Sequence, residues 1–203
     1  MEGSMSIIPL GTYRGKYIII NTKEVKHGLI AGISSCNKED LIKDIKEYLR
    51  NTDTQIYSID LENDKIDKCL EVILKINLKV RKLKRSSSTN ERIFLFVENA
   101  TYLFNTNTPK EKYLAQKVEE LLNLEAADVD IHIIISTYTR NNQYLPIRIL
   151  DIFDFIILGF TQDIDESMYL LKNDMATRLI DDISNSFILK HGEKIERFSI
   201  KVR

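Results

Sequence analysis

The stretch HGLIAGISSCNKE, residues 27–39, decides the fold. Residues 28–32 (GLIAG) are a compact apolar run that predicts a strand, and a loop at residues 33–37 follows. After the loop, apolar residues recur at helical spacing at Leu41, Ile42, Ile45 and Leu49. A strand, a loop and an amphipathic helix in this order predict the first unit of an α/β sheet.

The alternation of strand and helix continues along the chain. Apolar, β-rich runs predict strands at residues 55–61, 93–97, 131–135 and 155–158. Helical periodicity predicts helices at residues 64–84, 109–124 and 163–171, and short β-rich runs at residues 7–10 with 17–20 and 186–190 with 195–202 predict hairpins. Because such alternation produces parallel strands with right-handed crossovers, we predict an α/β fold: a mostly parallel sheet flanked by helices, with terminal β-hairpins.

Length, charge and cysteine usage narrow the class of protein. The chain has 203 residues and a net charge of −1, which indicates one globular domain and argues against a surface built for nucleic acid. We assign the domain to residues 6–203 and interpret the polar residues 1–5 as an addition left by cloning onto a piece of a longer protein. No apolar run reaches the ~18 residues of a membrane span. Cys36 and Cys69 lack metal-site spacing and indicate reduced cytosolic thiols.

The first strand-to-helix loop is where a sheet of this kind binds ligands. Compared with the phosphate-binding Walker pattern G-x-x-x-x-G-K-[ST], it keeps Gly32 and Lys38 but has Asn37 for the second glycine and Glu39 for the Mg²⁺-binding hydroxyl residue. A carboxylate about 4 Å from a phosphate charge repels it by roughly 4 kcal/mol at an effective dielectric of 20. The candidate nucleotide-binding residues of this degenerate loop are Gly32, Ser34, Ser35, Asn37, Lys38 and Glu39. The alternative is an ordinary turn with Lys38 solvated at a helix start.

Two further strand ends supply candidate site residues. ATP-hydrolysing sites of this kind carry an acidic pair after the third strand, whereas this chain has Glu98 and Asn99. Glu98 keeps an oxygen ligand for a metal, but Asn99 cannot act as a general base, which is worth roughly 10² to 10⁴ in rate. After the strand at residues 131–135, Thr137 is a candidate polar sensor and Tyr138 is a packing residue or a second candidate. We therefore expect no catalytic residues here.

Other polar clusters carry weaker predictions. The three histidines have no carboxylate at metal-ligand spacing, so the sequence predicts no metal site. A basic cluster ends the helix at residues 64–84 and consists of Lys79, Arg81, Lys82, Lys84 and Arg85. It is typical of a solvated helix end that suits the helix dipole, with an anionic partner as the alternative.

Several stretches, taken in order, resemble FtsK/SpoIIIE-type motor domains. They are IPLG at residues 8–11, GK at 15–16, HGLIAG at 27–32, ENATYL at 98–103, IHIIIST at 131–137 and FILKHGEKIERF at 187–198. The resemblance covers nearly the whole chain and implies a RecA-like P-loop NTPase core. The departures fall on the family's catalytic positions, namely Asn37, Glu39, Glu98, Asn99 and Tyr138, the last in place of a glutamine.

This pattern of losses is similar to the last, degenerate ATPase-like module of EssC-type motors of type VII secretion. The resemblance implies a cytoplasmic module at the inner face of the cell membrane, beside other ATPase modules of the same chain and with a ring of copies as the family expectation. The implied role is recognition of secreted protein substrates, or motor assembly, instead of ATP hydrolysis. The alternative is a weak ATP binder or slow ATPase that holds ATP with Mg²⁺ at low affinity. A DNA translocase is disfavoured by the neutral charge and the lost acidic pair.

Overall fold

The structure is a computed structural model that describes residues 7–84, 91–101, 103–124, 130–138 and 145–200. In this part of the chain the strands are β1 (Ile7–Tyr13), β2 (Lys16–Asn21), β3 (His27–Gly32), β4 (Thr54–Asp60), β5 (Arg92–Glu98), β6 (Ile131–Tyr138), β7 (Phe155–Leu158), β8 (Ser186–His191) and β9 (Lys194–Ser199). The helices are α1 (Lys38–Arg50), α2 (Ile66–Leu83), α3 (Pro109–Leu122), α4 (Ile147–Leu150) and α5 (Ile164–Leu171), with 3₁₀ segments at Leu103–Asn105 and Met175–Asp182. Among these described helices, none is long and apolar enough to cross a membrane.

The nine strands of the described residues form one sheet in the order β2-β1-β9-β8-β7-β3-β6-β5-β4. The strands from β7 to β4 in this order are mutually parallel, and antiparallel pairs extend the sheet beyond β7. The two predicted hairpins are confirmed and lie side by side, because β1 pairs with β9 through Thr12 and Ser199. The parallel order brings the carboxyl ends of β3, β6, β5 and β4 to one edge of the sheet, where ligands of such folds bind.

Helices cover both faces of the parallel strands. On β5, Phe94 and Phe96 pack in the core that contains α1, whereas Ile93, Leu95 and Val97 pack in the core formed with α2 and α3. A strand buried on both faces has no reason to alternate polar and apolar residues. This two-sided burial explains the continuous apolar run in the sequence.

Strand β6 is longer than its sequence pattern predicts. The apolar run indicated an end at residue 135, but β6 continues through Ser136, Thr137 and Tyr138. These polar residues stay in the ladder because they pair in parallel with Ile30, Ala31 and Gly32 of β3. The extension matters for the site, because neighbouring residues of a strand point to opposite faces. The predicted turn at 86–90 lies outside the described residues, as does most of the predicted loop at 141–146.

An ion-pair network closes the opposite, amino-terminal edge of the sheet. Asp130 accepts hydrogen bonds from Arg92 Nε and His132 Nε2, both at 2.7 Å, and His132 stacks on Phe94 with 4.5 Å between ring centroids. Burial alone would raise the pKa of Asp130, but the hydrogen bonds from His132 and Arg92 outweigh it and lower the pKa to about 2. The network is structural and lies away from the candidate site.

We expect Asp130→Asn to lower the free energy of unfolding at pH 7 by about 1 kcal/mol, a value discounted for the partial exposure of this carboxylate. Because the folded pKa lies below the ordinary value of 3.8, the contribution of Asp130 is present above pH 4 and is lost as the pH falls toward 2. Urea unfolding at pH 7, 4 and 2.5 should therefore show a gap between wild type and variant that closes on acidification. The exposed carboxylate of Asp181 supplies a control, Asp181→Asn, with no comparable gap.

Candidate nucleotide site

The candidate phosphate loop connects β3 to α1 at the carboxyl edge of the sheet. Gly32 ends β3 and lies in register with Tyr138 of β6, while Lys38 is the first residue of α1. Ser34 and Ser35 are exposed at the tip of the loop. The predicted loop residues are therefore brought together as the sequence implies, and their contacts decide what the loop can bind.

The thiol of Cys36 occupies the space that a side chain at Gly32 would need. A Cβ added at Gly32 would lie 2.3 Å from the Sγ of Cys36, and one added at Gly159 would lie 2.8 Å from the same atom. Burial raises the pKa of Cys36 to about 11, against a smaller lowering by Lys38. Gly32 thus makes room for a buried thiol of the protein itself.

Backbone N–H groups of the loop donate to carbonyl oxygens of the protein. The N–H of Cys36 donates to Ile33 O at 3.1 Å, and that of Lys38 donates to Cys36 O at 2.8 Å. The N–H of Asn37 donates to Ser184 O, also at 2.8 Å. A phosphate loop cradles its ligand with backbone N–H groups, and these three already have acceptors.

The side chain of Asn37 is engaged as well. Its Nδ2 donates to Oδ1 of Asn185 at 3.0 Å, and it forms no side-chain cap on α1. Asn37 therefore fastens the loop to the segment that precedes β8. The residue that replaces the second glycine of the phosphate-binding pattern acts here as a tether.

Lys38 is closed off by its neighbours. Lys38 is fully buried, and its Nζ lies 2.5 Å from Oε1 of Glu39 and 3.3 Å from the ring centroid of Tyr138. The hydroxyl of Tyr138 donates to the same Glu39 oxygen at 3.2 Å. Burial, followed by the Glu39 carboxylate, raises the pKa of Tyr138 to about 12, so the phenol stays protonated. The alternative of a solvated Lys38 is wrong for this structure.

The acidic residue of β5 also has internal partners. Oε1 of Glu98 accepts from Nζ of Lys46 at 2.5 Å and from the hydroxyl of Ser58 at 2.6 Å. Lys46 Nζ lies 5.0 Å from the ring centroid of Phe96. Glu98 therefore joins β5 and β4 to α1, and its Oε1 is already paired with the Lys46 cation.

Asn99 follows with a left-handed backbone, φ +56°, which asparagine adopts more readily than most residues. Its Nδ2 donates to Asp60 Oδ1 at 2.8 Å, and its N–H donates to Ser136 Oγ at 3.3 Å. Burial raises the pKa of Asp60, but hydrogen bonds from Asn63 and Asn99 lower it further, so Asp60 is held ionised. The amide of Asn99 thus acts as a donor to a carboxylate and has no proton-accepting role.

The structure brings Tyr138, and not Thr137, to the candidate loop. Thr137 is buried, and its hydroxyl donates to Oγ1 of Thr101 at 3.1 Å. The N–H of Tyr138 donates to the same Thr101 oxygen, while the Tyr138 ring covers Lys38. Adjacent residues of the extended strand β6 face opposite ways, which separates the sensor candidate Thr137 from the loop.

Some contributors to this site were not predicted from the sequence. Cys36, Asp60 and Lys46 gave no motif, although Lys46 follows Lys38 by eight residues and so lies on the same helical face. That spacing is the sequence feature that could have indicated that Lys46 lies near the candidate site. Within the described ranges, no cluster of three or more histidine, cysteine, aspartate or glutamate residues could hold a metal ion.

The thiols of this fold should be unreactive. With a pKa of about 11, Cys36 carries roughly a hundredfold less thiolate at pH 8 than a free cysteine, and burial shields both Cys36 and Cys69. We expect a disulfide reagent such as DTNB to modify native protein at least a hundredfold more slowly than protein in guanidinium. Rapid modification of one native thiol would contradict the buried loop, and Cys36→Ala would show whether that thiol is Cys36.

Comparison with known proteins finds similar structures but no similar sequences. No family model matches the chain, and no curated protein matches it significantly. Among solved structures, the pCW3 conjugation coupling protein TcpA in a monomer form with ATPγS superposes with a TM-score of 0.79 at 18% identity, over 98% of this chain and 66% of that one. EccC of Thermomonospora curvata (ATPases 2 and 3, with a signal sequence peptide) gives 0.75 at 17%, over 99% and 41% of the chains. EssC of Geobacillus thermodenitrificans (ATPases 2 and 3) gives 0.75 at 10%, over 96% and 44%.

The chain therefore spans about two thirds of the coupling protein and less than half of the two secretion ATPases. Identities of 10–18% establish a shared fold. The chain has the RecA-like P-loop ATPase fold of the conjugation coupling protein and of the EccC and EssC modules of type VII secretion.

Proposed function

We propose that the chain is a catalytically silent, ATPase-like module of a type VII secretion motor. In this proposal it contributes to recognition of secreted proteins or to motor assembly, on the cytoplasmic side of the membrane. Asn99 carries the proposal, because its amide donates to Asp60 at the position where a general base must accept a proton. The internal pairing of Glu98 with Lys46 and of Lys38 with Glu39 supports it.

The silent-module proposal is tested by ATP turnover. We expect the purified protein with Mg²⁺ and ATP to release phosphate no faster than its Lys38→Ala variant. A rate that exceeds the variant's by tenfold or more would reject the proposal and favour a slow ATPase. A sister ATPase module with intact Walker residues serves as the positive control.

A cleft in the antiparallel part of the sheet is the docking surface that we propose. It has a volume of about 590 Å³ and lies between the turn end of the β1–β2 hairpin, strands β8 and β9, and the Met175–Asp182 segment. Leu179, Ile188 and Ile195 supply apolar lining, and Lys16, Arg178 and Arg197 add cationic side chains. The one lining carboxylate, that of Glu196, pairs with Lys194 at 2.7 Å.

This charge pattern favours an acidic, amphipathic segment of a secreted substrate as the occupant of the cleft. We expect a Lys16→Glu/Arg197→Glu variant to bind purified secreted substrates at least tenfold more weakly than wild type in a fluorescence-anisotropy titration. Arg50→Glu, an exposed charge reversal on α1, is the matched control and should leave binding unchanged. Equal weakening by both variants, or full binding by the Lys16→Glu/Arg197→Glu variant, would assign docking to another surface. Binding to sister modules instead would favour the motor-assembly role.

A weak ATP binder is the second candidate. Gly32 and Lys38 are retained, and the coupling protein with this fold is described with ATPγS. Titration of labelled ATP with Mg²⁺ decides between the candidates. Saturable binding that Lys38→Ala abolishes would establish the binder, whereas no binding at millimolar nucleotide would support the silent module. A DNA translocase stays disfavoured, because a chain of net charge −1 offers no general electrostatic footprint for DNA.

A further inference from the structure

We propose that Glu39 is a built-in ligand of the phosphate loop. In this view its carboxylate holds Lys38 as a phosphate oxygen would, Tyr138 covers the pair, and the Lys38 cation becomes available to a polyphosphate on the solvent side when the carboxylate is removed. The inference deepens the proposed function and rests on it, because a loop closed in this way suits a module that does not turn over ATP.

Lys38 is the buried cation of the candidate loop. In a phosphate loop this side chain reaches the β- and γ-phosphates, so it must present a cation to an anionic ligand. Here the Lys38 side chain is 1% exposed, and its Nζ lies 2.5 Å from the Glu39 carboxylate. A buried cation requires a counter-charge, and Glu39 supplies it from within the chain.

Tyr138 covers the ion pair between Lys38 and Glu39. The Tyr138 ring lies on Lys38 Nζ at 3.3 Å from its centroid, and the Tyr138 hydroxyl donates to Glu39. One residue therefore contacts both members of the pair. Strand register fixes it there, because Tyr138 is the β6 partner of Gly32.

The Glu39 carboxylate is open to solvent. The side chain of Glu39 is 54% exposed, so the carboxylate approaches Lys38 from the solvent side. An incoming anion would follow the same direction and compete for the same cation. Removal of the Glu39 charge leaves the buried Lys38 cation without a counter-ion. A bound polyphosphate would supply the missing negative charge.

The experiment compares wild type with Glu39→Ser, which restores the hydroxyl residue of the phosphate-binding pattern. The probes are sodium tripolyphosphate and labelled ATP with Mg²⁺, followed by calorimetry and thermal unfolding. We expect wild type to show no saturable binding at millimolar probe. Glu39→Ser should bind at least tenfold more tightly than wild type, and tripolyphosphate should raise its melting temperature selectively. The gain should vanish in Glu39→Ser/Lys38→Ala.

Glu62→Ser is the matched control. It removes an exposed carboxylate whose charge also acts on Tyr138 but that has no described bond to Lys38, and it should bring no gain. Binding by wild type as tight as by Glu39→Ser overturns the proposal, as does a folded Glu39→Ser that binds neither probe or an equal gain in Glu62→Ser. If Glu39→Ser does not fold, Glu39→Gln keeps the shape without the charge and carries the same expectations. ATP turnover by wild type would reject the proposed function, whereas unchanged probe binding without turnover rejects only the built-in ligand.

Discussion

Replacing Gly28 by alanine is expected to lower the free energy of unfolding by about 3 kcal/mol or more, at the upper end for overpacked cores. Gly28 is the second residue of β3 and pairs in register with Phe155 of β7, whose ring packs over the Gly28 backbone. A Cβ added at Gly28 would lie 1.9 Å from the Cζ of that ring. Since Phe155 is itself buried, the ring cannot swing into solvent without further loss.

Equilibrium urea unfolding followed by circular dichroism measures this loss, and a double-mutant cycle assigns it. Phe155→Leu shortens the side chain that the new methyl group meets. We therefore expect the loss in Gly28→Ala/Phe155→Leu to be smaller than the sum of the two single losses by at least 1 kcal/mol. Additive losses would show that the clash between these two residues is not the cause. A destabilised β3 should also release the candidate loop, with faster thiol modification at Cys36.

Replacing Phe96 by alanine is expected to cost about 3–5 kcal/mol, the range for removal of a buried aromatic side chain. Phe96 is fully buried between the sheet and α1, and its ring lies 6.4 Å from that of Phe94. It also lies beneath Lys46, the partner of Glu98. The substitution therefore opens a cavity under the ion pair that joins the acidic strand to α1.

The same unfolding assay tests this expectation, with Phe104→Ala as the matched control. Phe104 is partly buried at the edge of the other core, so its loss should be less than half as large. Equal losses, or a loss below about 1.5 kcal/mol in Phe96→Ala, would contradict the central packing role of Phe96. Lys46→Met separates the two contributions, because it removes the cation above the ring and leaves the core volume nearly unchanged.

Local sequence patterns predicted the architecture because they report directly on burial. The apolar runs of β3, β5 and β6 indicated strands covered on both faces, and the helical periodicity of residues 41–49 indicated α1. The hairpins at both ends followed from short β-rich runs around glycines. The extra residues of β6 were missed, because polar side chains at its end gave no apolar signal while cross-strand pairing held them in the ladder.

The candidate site was predicted in part. The sequence assembled Gly32, Asn37, Lys38 and Glu39 into one loop and placed Glu98 and Asn99 at a neighbouring strand end, since carboxyl ends of parallel strands share an edge. It also indicated that a carboxylate at position 39 conflicts with phosphate. It could not indicate that Glu39 turns that conflict into an internal ion pair.

By itself the sequence predicted the parallel sheet, and it determined that position 39 of the candidate loop carries a carboxylate and position 99 an amide, because residue identity and spacing suffice for each. Tertiary structure alone decided the contacts that close the loop. The position of Tyr138 over Lys38 follows from the register of β6 on β3, and the capture of Asn37 by Asn185 joins residues 148 positions apart in the chain. Such contacts depend on how distant strands pack, and no local pattern of residues encodes them.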